Sequence, residues 1–360
     1  MKVFLDTNIF YNDWFMKNAN FRYLFHFLNN EGHSLLISKL VIEEAENIRN
    51  RELSESLLDI KKSINRINKL NYNDVYFAQE SLGVEKFELL PMIRSRTENI
   101  EEIEYEGIPH SVVVGRALIN KKPFIEGEKG YRDTLIWLSF MDYLAKNDIE
   151  EDVVFITQNK SDFFKVKDKV LHFHQDLCSD IEHKTLKAKI TPYASLFDFV
   201  NSAIDKDVHA IDHYASEKLF EQFIFEESSK FITEMSNVDL SKHFGYTIFE
   251  TNVKTILSTR VEIYEGLEDI DILQTQRLEG DDVYVSYSYN LRGVTVEIDI
   301  PEIDYFMNKI EILKVADDVD VISEVVTLHF FMRPYFDVSF IYNARLDTLK
   351  NFEVARIWLR

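Results

Sequence analysis

The chain begins with the stretch KVFLDTN (Lys2–Asn8), an apolar run that ends abruptly in three polar residues. A short, uninterrupted apolar run of this kind is typical of a strand buried on both faces of a parallel sheet. VVFITQNKSDF (Val153–Phe163) repeats the pattern, and Ser34–Ile37 is a further apolar run. Apolar residues at helical spacing separate these runs. The alternation of strand and helix predicts an α/β domain with a parallel sheet flanked by helices.

The second half of the chain has a different pattern, in which apolar and polar residues alternate with a period of two. Val283–Tyr289 and Val294–Ile300 are two such runs separated by turn residues, which we interpret as a β-hairpin. Lys309–Val315 is interpreted as another strand. The pattern predicts a separate β-rich domain, antiparallel and of the α+β class.

Charge is divided unevenly along the 360 residues, which carry 41 Lys/Arg and 62 Asp/Glu for a formal net charge of −21. Residues 1–200 contain 26 bases and 32 acids, whereas residues 201–360 contain 15 bases and 30 acids. We place a first domain at 1–205 and an acidic β-rich domain at 206–360. A uniformly basic coat for nucleic acid is excluded. We expect the acidic domain to face a basic protein partner, or to cover basic flanks of a site in the first domain.

The compartment is indicated by what the sequence lacks. No window approaches the roughly 18 consecutive apolar residues of a membrane span, and Asp6 interrupts the apolar run that a signal peptide would need. Cys178 is the single cysteine, which excludes an intramolecular disulfide and a multi-cysteine metal site. We predict a soluble, cytoplasmic protein without a membrane partner, and the sequence leaves self-association into a homo-oligomer open.

Four acidic positions occupy equivalent places in the first domain. Asp6 follows the first strand, Glu44 lies about two turns into the helix after the second, Asp133 begins an apolar helix, and Asn159 and Asp162 follow a later strand. The carboxyl ends of parallel strands meet at one edge of a sheet, where ligands bind. Carboxylates gathered there repel one another unless a cation lies among them, and oxygen ligands favour Mg²⁺ or Mn²⁺ over zinc.

Such a site is suited to the hydrolysis of a phosphodiester, because a metal ion stabilises charge on phosphorus and lowers the pKa of an attacking water. Thr7, Asn8 and Thr157 are short polar residues beside the acids, suited to orienting ligands or water. Each acid alone has a structural alternative, as a helix cap or as the partner of a helix dipole. Only the four acidic positions taken together, in this order along the chain, favour a metal-binding site.

Four motifs occur in a fixed order: FLDTN (Phe4–Asn8), IS (Ile37–Ser38) followed by EEA (Glu43–Ala45), GYRDTLIW (Gly130–Trp137) and ITQNKSDF (Ile156–Phe163). Together they resemble the motifs of PIN-domain ribonucleases, over about residues 1–175. The resemblance implies a PIN-like fold and an endoribonuclease that leaves a 3′-hydroxyl and a 5′-phosphate. It also implies a toxin or phage-defence effector as the biological setting.

The resemblance assigns catalytic and metal-binding roles, with Mg²⁺ or Mn²⁺ as cofactor, to Asp6, Glu44 and Asp133. The family often has an acid two residues after the threonine of the last motif, where this chain has the neutral Asn159. The fourth ligand is therefore open between Asn159 and Asp162.

Two further assignments follow from the same resemblance. Glu43 is a rival to Glu44, but Glu44 directly precedes a small apolar residue as the family's glutamate does. The resemblance makes RNA the expected substrate. Independently of it, the residues expected to contact the RNA, because they stand beside the acids, are Thr7, Asn8, Arg132, Thr157 and Lys160.

Two other functions compete with the nuclease. A catalytically weak PIN module that binds RNA or a protein without cleavage is consistent with the neutral Asn159 and the acidic total. A receiver-like phosphoacceptor using Asp6 is disfavoured, because no lysine stands at the tip of the strand Val153–Thr157.

Overall fold

The computed structural model describes residues 1–11, 13–30, 32–76, 86–124, 129–204, 213–236, 239, 253, 255–264 and 266–359, with the backbone alone at 213–219. These residues divide into two compact units. The first comprises Met1–Lys17 and Leu24–Phe199, and the second comprises Asn18–Tyr23 and Val200–Arg360.

The first part of the chain alternates strands with helices. Its strands are β1 (Lys2–Leu5), β2 (Ser34–Ser38), β3 (Ile100–Ile103), β4 (Val153–Ile156), β5 (Phe164–Lys167), β6 (Val170–Phe173) and β7 (Ile190–Tyr193). Its helices are α1 (Ala19–Asn30), α2 (Lys39–Leu70), α3 (Leu89–Arg94), α4 (His110–Leu118), α5 (Tyr131–Lys146), α6 (Lys160–Phe163), α7 (Gln175–Lys184) and α8 (Leu196–Ala203). Five strands form one parallel sheet in the order β3-β2-β1-β4-β7, which confirms the predicted α/β class.

The centre of this sheet is packed by aromatic side chains. β1 and β4 are buried along their whole length, and Phe4 of β1 stacks on Phe155 of β4 with ring centroids 4.9 Å apart. Phe140 and Trp137 of α5 lie over the same rings, at 4.9 Å from Phe4 and 5.6 Å from Phe155 respectively. The ends of β1 and β4 are therefore held by a dense core.

Ser38 is the N-cap of helix α2, and its hydroxyl accepts a hydrogen bond from the amide of Leu40 at 3.3 Å. Its buried residues are confined to the first two turns, at Val41, Ile42 and Ala45. This anchoring keeps the beginning of α2 on the sheet, next to the end of β1.

Helix α5 depends on a glycine at its N-cap. Gly130 has a φ of +106°, and a Cβ atom placed there would lie 2.6 Å from the carbonyl oxygen of Pro123. A side chain is therefore excluded both by the backbone conformation and by space. The tight start places Asp133 in the first turn of α5.

The second part of the chain is rich in antiparallel strands, as predicted. Its strands are β8 (Ser258–Ile263), β9 (Leu267–Arg277), β10 (Asp282–Leu291), β11 (Val294–Pro301), β12 (Asp318–Ile322), β13 (Val325–Met332), β14 (Pro334–Asn343) and β15 (Thr348–Leu359), and its helices include α9 (His213–Glu234) and α10 (Glu302–Ile312). The strands form two four-stranded sheets, ordered β15-β14-β10-β9 and β12-β13-β11-β8. None of the helices in the described residues is both long and apolar enough to span a membrane.

Two local predictions in this unit are wrong. The runs around Val283 and Val294 are strands, but β10 pairs with β9 and β14 while β11 pairs with β8 and β13, so they do not form a hairpin. The short link at Arg292–Gly293 instead passes from one sheet to the other, because both strands bury residues on both faces and each lies inside its own sheet. The expected strand at Lys309–Val315 lies largely in α10, whose buried residues Tyr305, Asn308 and Ile312 recur at helical spacing.

Candidate active site

The candidate site lies at the carboxyl-terminal edge of the parallel sheet. β1 and β4 pair so that Leu5 lies beside Ile156, which places the next residues, Asp6 and Thr157, side by side. β2 and β3 lie on one side of β1, and β4 and β7 lie on the other. Ligands of open α/β sheets bind where the strand order reverses in this way.

Asp6 is 2% exposed and is held by three donors. Its Oδ1 accepts from the backbone amide of Thr7 at 2.8 Å. Its Oδ2 accepts from the side-chain amide of Asn8 at 3.0 Å and from the hydroxyl of Thr157 at 2.6 Å. Burial raises the pKa of Asp6 to about 6 against the opposing effect of these hydrogen bonds, and the charge of Glu44 adds to the rise. The carboxyl group is therefore fixed in position and costly to ionise.

Glu44 joins Asp6 through the turn that follows β1. Its Oε2 accepts from the hydroxyl of Thr7 at 2.8 Å, and its carboxylate forms an ion pair with the guanidinium of Arg132. The side chain is only 10% exposed. The neighbouring Glu43 is exposed and accepts instead from the hydroxyl of Tyr105 at 2.8 Å. The structure thus brings Glu44, rather than Glu43, to the site.

Asp133 is a second acid of the cluster with a raised pKa. Burial raises its pKa to about 7, and the charges of Asp6, Asp162 and Glu44 contribute in that order. Arg132, the preceding residue, lowers the pKa without cancelling the rise. The four acids predicted from the sequence therefore lie within electrostatic reach of one another.

The fourth position combines a neutral amide with a buried acid. The side-chain amide of Asn159 donates to Oδ2 of Asp162 at 2.8 Å and lies 3.5 Å from Oδ2 of Asp133. Asp162 is 8% exposed, accepts from the hydroxyl of Ser161 at 3.2 Å, and has the Nζ of Lys122 at 3.5 Å. Asn159 thus lies between two carboxylates, and Asp162 has donors of its own.

Three of the short polar residues expected to contact substrate are engaged with the acids. Thr7 bonds to Asp6 through its backbone and to Glu44 through its hydroxyl. Asn8 and Thr157 bond to Asp6 and also to each other at 3.0 Å. These contacts join the end of β1 to the end of β4, so the three side chains position the acids in this structure.

The two basic residues predicted to receive phosphates lie at the rim. The Arg132 side chain is 62% exposed although it pairs with Glu44. Lys160 is exposed at the first position of α6. Both side chains are accessible to a polyanion that approaches the acids.

The clustered side chains offer carboxylate and amide oxygens as donors for a divalent metal ion. Among the described residues, no group of three or more Asp, Glu, His or Cys side chains is arranged as a ready metal site. The chemistry of the cluster nevertheless fits a hard cation, since its candidate donors are oxygen atoms and the pKa values of Asp6 and Asp133 are raised. Coordination through Glu44 requires its contact with Arg132 to rearrange.

Tyr11 is a residue of the site that the motifs did not indicate. Burial raises its pKa to about 12, and the charges of Glu44, Asp6 and Asp133 contribute to the rise. It directly follows the 3₁₀ turn Thr7–Phe10, whose N-cap is Asp6. The concentration of aromatic residues immediately after the first motif was the sequence feature that could have indicated Tyr11 as a residue of the site.

A separate cavity of about 690 Å³ opens in the second unit. Its lining includes Asn290, Arg292, Arg333 and Tyr335, but none of the residues that the motifs single out. The size of this cavity therefore does not bear on the chemistry of the acids.

Comparison with protein families matches residues 3–163 to the PIN domain family. The matched range contains all of the clustered acids, from Asp6 to Asp162. Neither the search of curated proteins nor the search of solved structures found a significant match. Residues 3–163 are therefore a PIN domain, the fold of a family whose members are generally nucleases.

Proposed function

We propose that the chain is a Mg²⁺- or Mn²⁺-dependent endoribonuclease. The observation that carries the proposal is the cluster of Asp6, Glu44 and Asp133 at one edge of a parallel sheet, in which burial and the charge of Glu44 raise the pKa values of Asp6 and Asp133. A protein gains nothing in stability from such an arrangement. The arrangement is useful when a cation and an anionic substrate meet at the carboxylates.

Some residues of the site would hold the metal ion, and others would orient those residues or bind the substrate. When bound, the divalent ion would supply charge stabilisation at phosphorus and a more acidic water. Asp6, Glu44 and Asp133 would hold the ion, with Asn159 or Asp162 completing the set. Thr7, Asn8 and Thr157 fix the orientation of Asp6 and Glu44. Arg132 and Lys160 have exposed side chains that would bind RNA phosphates.

The proposal is tested by incubating the full chain with mixed RNA in Mg²⁺ or Mn²⁺. Wild type should cleave, and an Asp6→Asn, Asp133→Asn double variant should lose activity by at least about 100-fold. Asp168→Asn is the matched control, because Asp168 is exposed and its φ of +52° is one that asparagine also adopts. Cleavage that persists in the double variant, or that wild type never shows with any metal, would refute the nuclease.

A binding module without cleavage is the second candidate, and Asn159 is the observation that favours it. Its amide lies between Asp133 and Asp162 and adds no charge for a metal ion. On this alternative, wild type binds RNA or a protein partner in the presence of Mn²⁺, and the RNA remains intact over long incubation.

The biological setting follows from the family resemblance alone. We propose a cytoplasmic toxin or defence effector whose activity is restrained until it is triggered. Induced expression of wild type should then slow growth, and the Asp6→Asn, Asp133→Asn variant should not. Equal growth of the two cultures would argue against a toxin.

A further inference from the structure

Helix α10 of the second unit carries a row of large apolar side chains that are exposed to solvent. The row recurs every three or four residues, which places its members along one side of the helix. Their exposed fractions range from 52% at Leu313, the C-cap residue, to 78% at Met307. We name this row the α10 stripe, and its members are Ile303, Phe306, Met307, Ile310 and Leu313.

The opposite side of α10 supplies the packing that holds the helix in the second unit. Tyr305 and Ile312 are buried in the same core cluster as Val326 of β13. Asn308 is buried on that side as well, and its side-chain amide donates to the carbonyl oxygen of Asp304 at 2.8 Å. Helix α10 is therefore apolar on two sides, and the core of the second unit covers only one of them.

The exposed side of α10 is larger than the isolated apolar side chains that are ordinary on a protein surface. Five large apolar side chains that are each more than half exposed present on the order of 500 Å² of apolar surface. A contiguous patch of that size is among the largest that a monomer leaves in water, and such patches are often binding surfaces. Helix formation does not require it, because Gln, Glu and Lys favour a helix as well as these residues do.

The charge around the α10 stripe is mainly negative. Residues 302–324, from the start of α10 to the turn before β13, contain seven acids and two lysines. Glu311 is exposed on α10 itself. The backbone amide of Glu302 donates to the carbonyl oxygen of Glu324 at 3.0 Å, so the exposed Glu324 lies beside the beginning of the helix. Of the two lysines, Lys309 lies over a ring of the stripe, with its Nζ 5.9 Å from the centroid of Phe306.

An apolar row with acids around it fits a partner that combines an apolar face with basic flanks. The apolar face would cover the stripe, and Lys or Arg side chains on the flanks would meet the acids. A second copy of this chain is a poorer fit, because it would bring two acidic surfaces together. An anionic membrane is a poorer fit for the same reason. The stripe extends over almost three helical turns, which suits a second helix packed alongside α10.

We propose that the α10 stripe docks a basic amphipathic helix of a partner protein. The interaction follows the general mode in which an amphipathic helix lays its apolar face on an apolar surface. The inference is independent of the proposed nuclease, because it concerns a surface of the second unit and none of the residues assigned to the cation or the RNA.

The test measures the binding of synthetic peptides to the full chain by fluorescence anisotropy. The labelled peptide has leucine along one side of a helix and lysine along the other. One comparison peptide has the same composition in an order that gives no apolar side, and a second has glutamate in place of lysine. At low salt, wild type should bind the leucine and lysine amphipathic peptide at least about tenfold more tightly than either comparison peptide.

The variant Met307→Gln, Ile310→Gln removes two members of the stripe and keeps residues that favour a helix. It should weaken binding of the amphipathic peptide by about tenfold or more, because the peptide then buries less apolar surface. Leu58→Gln, Ile67→Gln is the matched control, since both residues are exposed apolar positions of α2. The control should bind the peptide as wild type does, and circular dichroism shows whether both variants remain folded.

Equal peptide binding by wild type and the folded Met307→Gln, Ile310→Gln variant overturns the proposal. Failure of wild type to prefer the leucine and lysine amphipathic peptide over both comparison peptides overturns it as well. Light scattering after size-exclusion chromatography tests for a second copy on the stripe. A dimeric wild type with a monomeric Met307→Gln, Ile310→Gln variant would assign the stripe to self-association and so contradict a partner protein.

Discussion

At the residue scale, the site concentrates negative charge where water screens it poorly. The pKa values of Asp6 and Asp133 are raised by burial to about 6 and about 7. Ionising either group therefore costs more free energy in the folded chain than in the unfolded one. A bound cation would offset that cost, so the same carboxylates that weaken the metal-free domain should make it bind metal.

The stability of the metal-free protein should depend on pH through Asp133. In the metal-free protein, the stability that Asp133 contributes should fall as the pH rises from about 4 to about 7, because the unfolded chain releases its proton first. Asp133→Asn removes this effect. The difference in thermal midpoint between the variant and wild type in EDTA should widen in favour of the variant across that range, and saturating Mn²⁺ should reduce it. A difference that is constant with pH would contradict the account.

Asn159 provides a gain-of-function prediction. Asn159→Asp places a carboxylate between Asp133 and Asp162, and should tighten Mn²⁺ binding by about tenfold while lowering the thermal midpoint in EDTA. Isothermal titration calorimetry measures the affinity. Asn73→Asp, at an exposed loop position, is the control for added charge. Unchanged or weaker Mn²⁺ binding by Asn159→Asp would show that the fourth position does not face the ion.

The sequence predicted the clustering of Asp6, Glu44 and Asp133 because each lies at a point that the strand and helix pattern fixes. The strand and helix pattern does not place Tyr11. Its proximity to the acids arises from a 3₁₀ turn, and nothing in the helical or strand period specifies where the chain goes after it.

At the element scale, the sequence correctly predicted the strands that are marked by a continuous apolar run. The apolar runs of β1 and β4 are buried along their length and pair in register, as short continuous runs in parallel sheets do. The hairpin failed because a turn signal specifies that the chain reverses, not which sheet receives the next strand. Helix α10 was missed because its apolar positions also fit a short strand.

Gly130 provides the element-scale prediction. Gly130→Ala should lower the free energy of unfolding by about 1–3 kcal/mol, because alanine resists the φ of +106° and its Cβ would meet the Pro123 carbonyl. Urea denaturation followed by circular dichroism measures the change.

Gly115→Ala is the matched control, with the opposite expected sign. Gly115 is an exposed position within α4 where an added Cβ meets no atom within 4 Å, so alanine should stabilise by about 0.5–1 kcal/mol. Equal effects of the two substitutions would contradict the role assigned to the left-handed cap.

At the scale of the whole molecule, the charge belongs mainly to the second half. The stretch Glu262–Glu324 contains 17 acids and four bases. We propose that these acids disfavour RNA and serve a basic partner or shield basic residues of the PIN domain. The composition predicted the charge asymmetry and the period-two pattern predicted the β-rich class of this region, but neither specifies which surface the acids face.

Neutralising exposed acids of the second unit should therefore raise RNA affinity. A triple variant Glu311→Gln, Asp318→Asn, Glu324→Gln changes three exposed side chains and should bind single-stranded RNA about two- to fivefold more tightly at low salt, with the gain lost at high salt. Glu311→Asp, Asp318→Glu, Glu324→Asp keeps the charge and is the control. Weaker or unchanged binding by the neutral variant at low salt would remove the shielding role.

On the proposed function, the carboxylates of the PIN domain hold a divalent cation that RNA cleavage requires. The most direct measurement is the cleavage rate of a labelled single-stranded RNA as Mn²⁺ is returned to EDTA-treated protein, for wild type and for Asp133→Asn. Wild type should be inactive in EDTA and recover along a saturable curve, whereas Asp133→Asn should stay at least about 100-fold slower at every Mn²⁺ concentration. Cleavage by wild type in EDTA, or full recovery by Asp133→Asn, would contradict the claim.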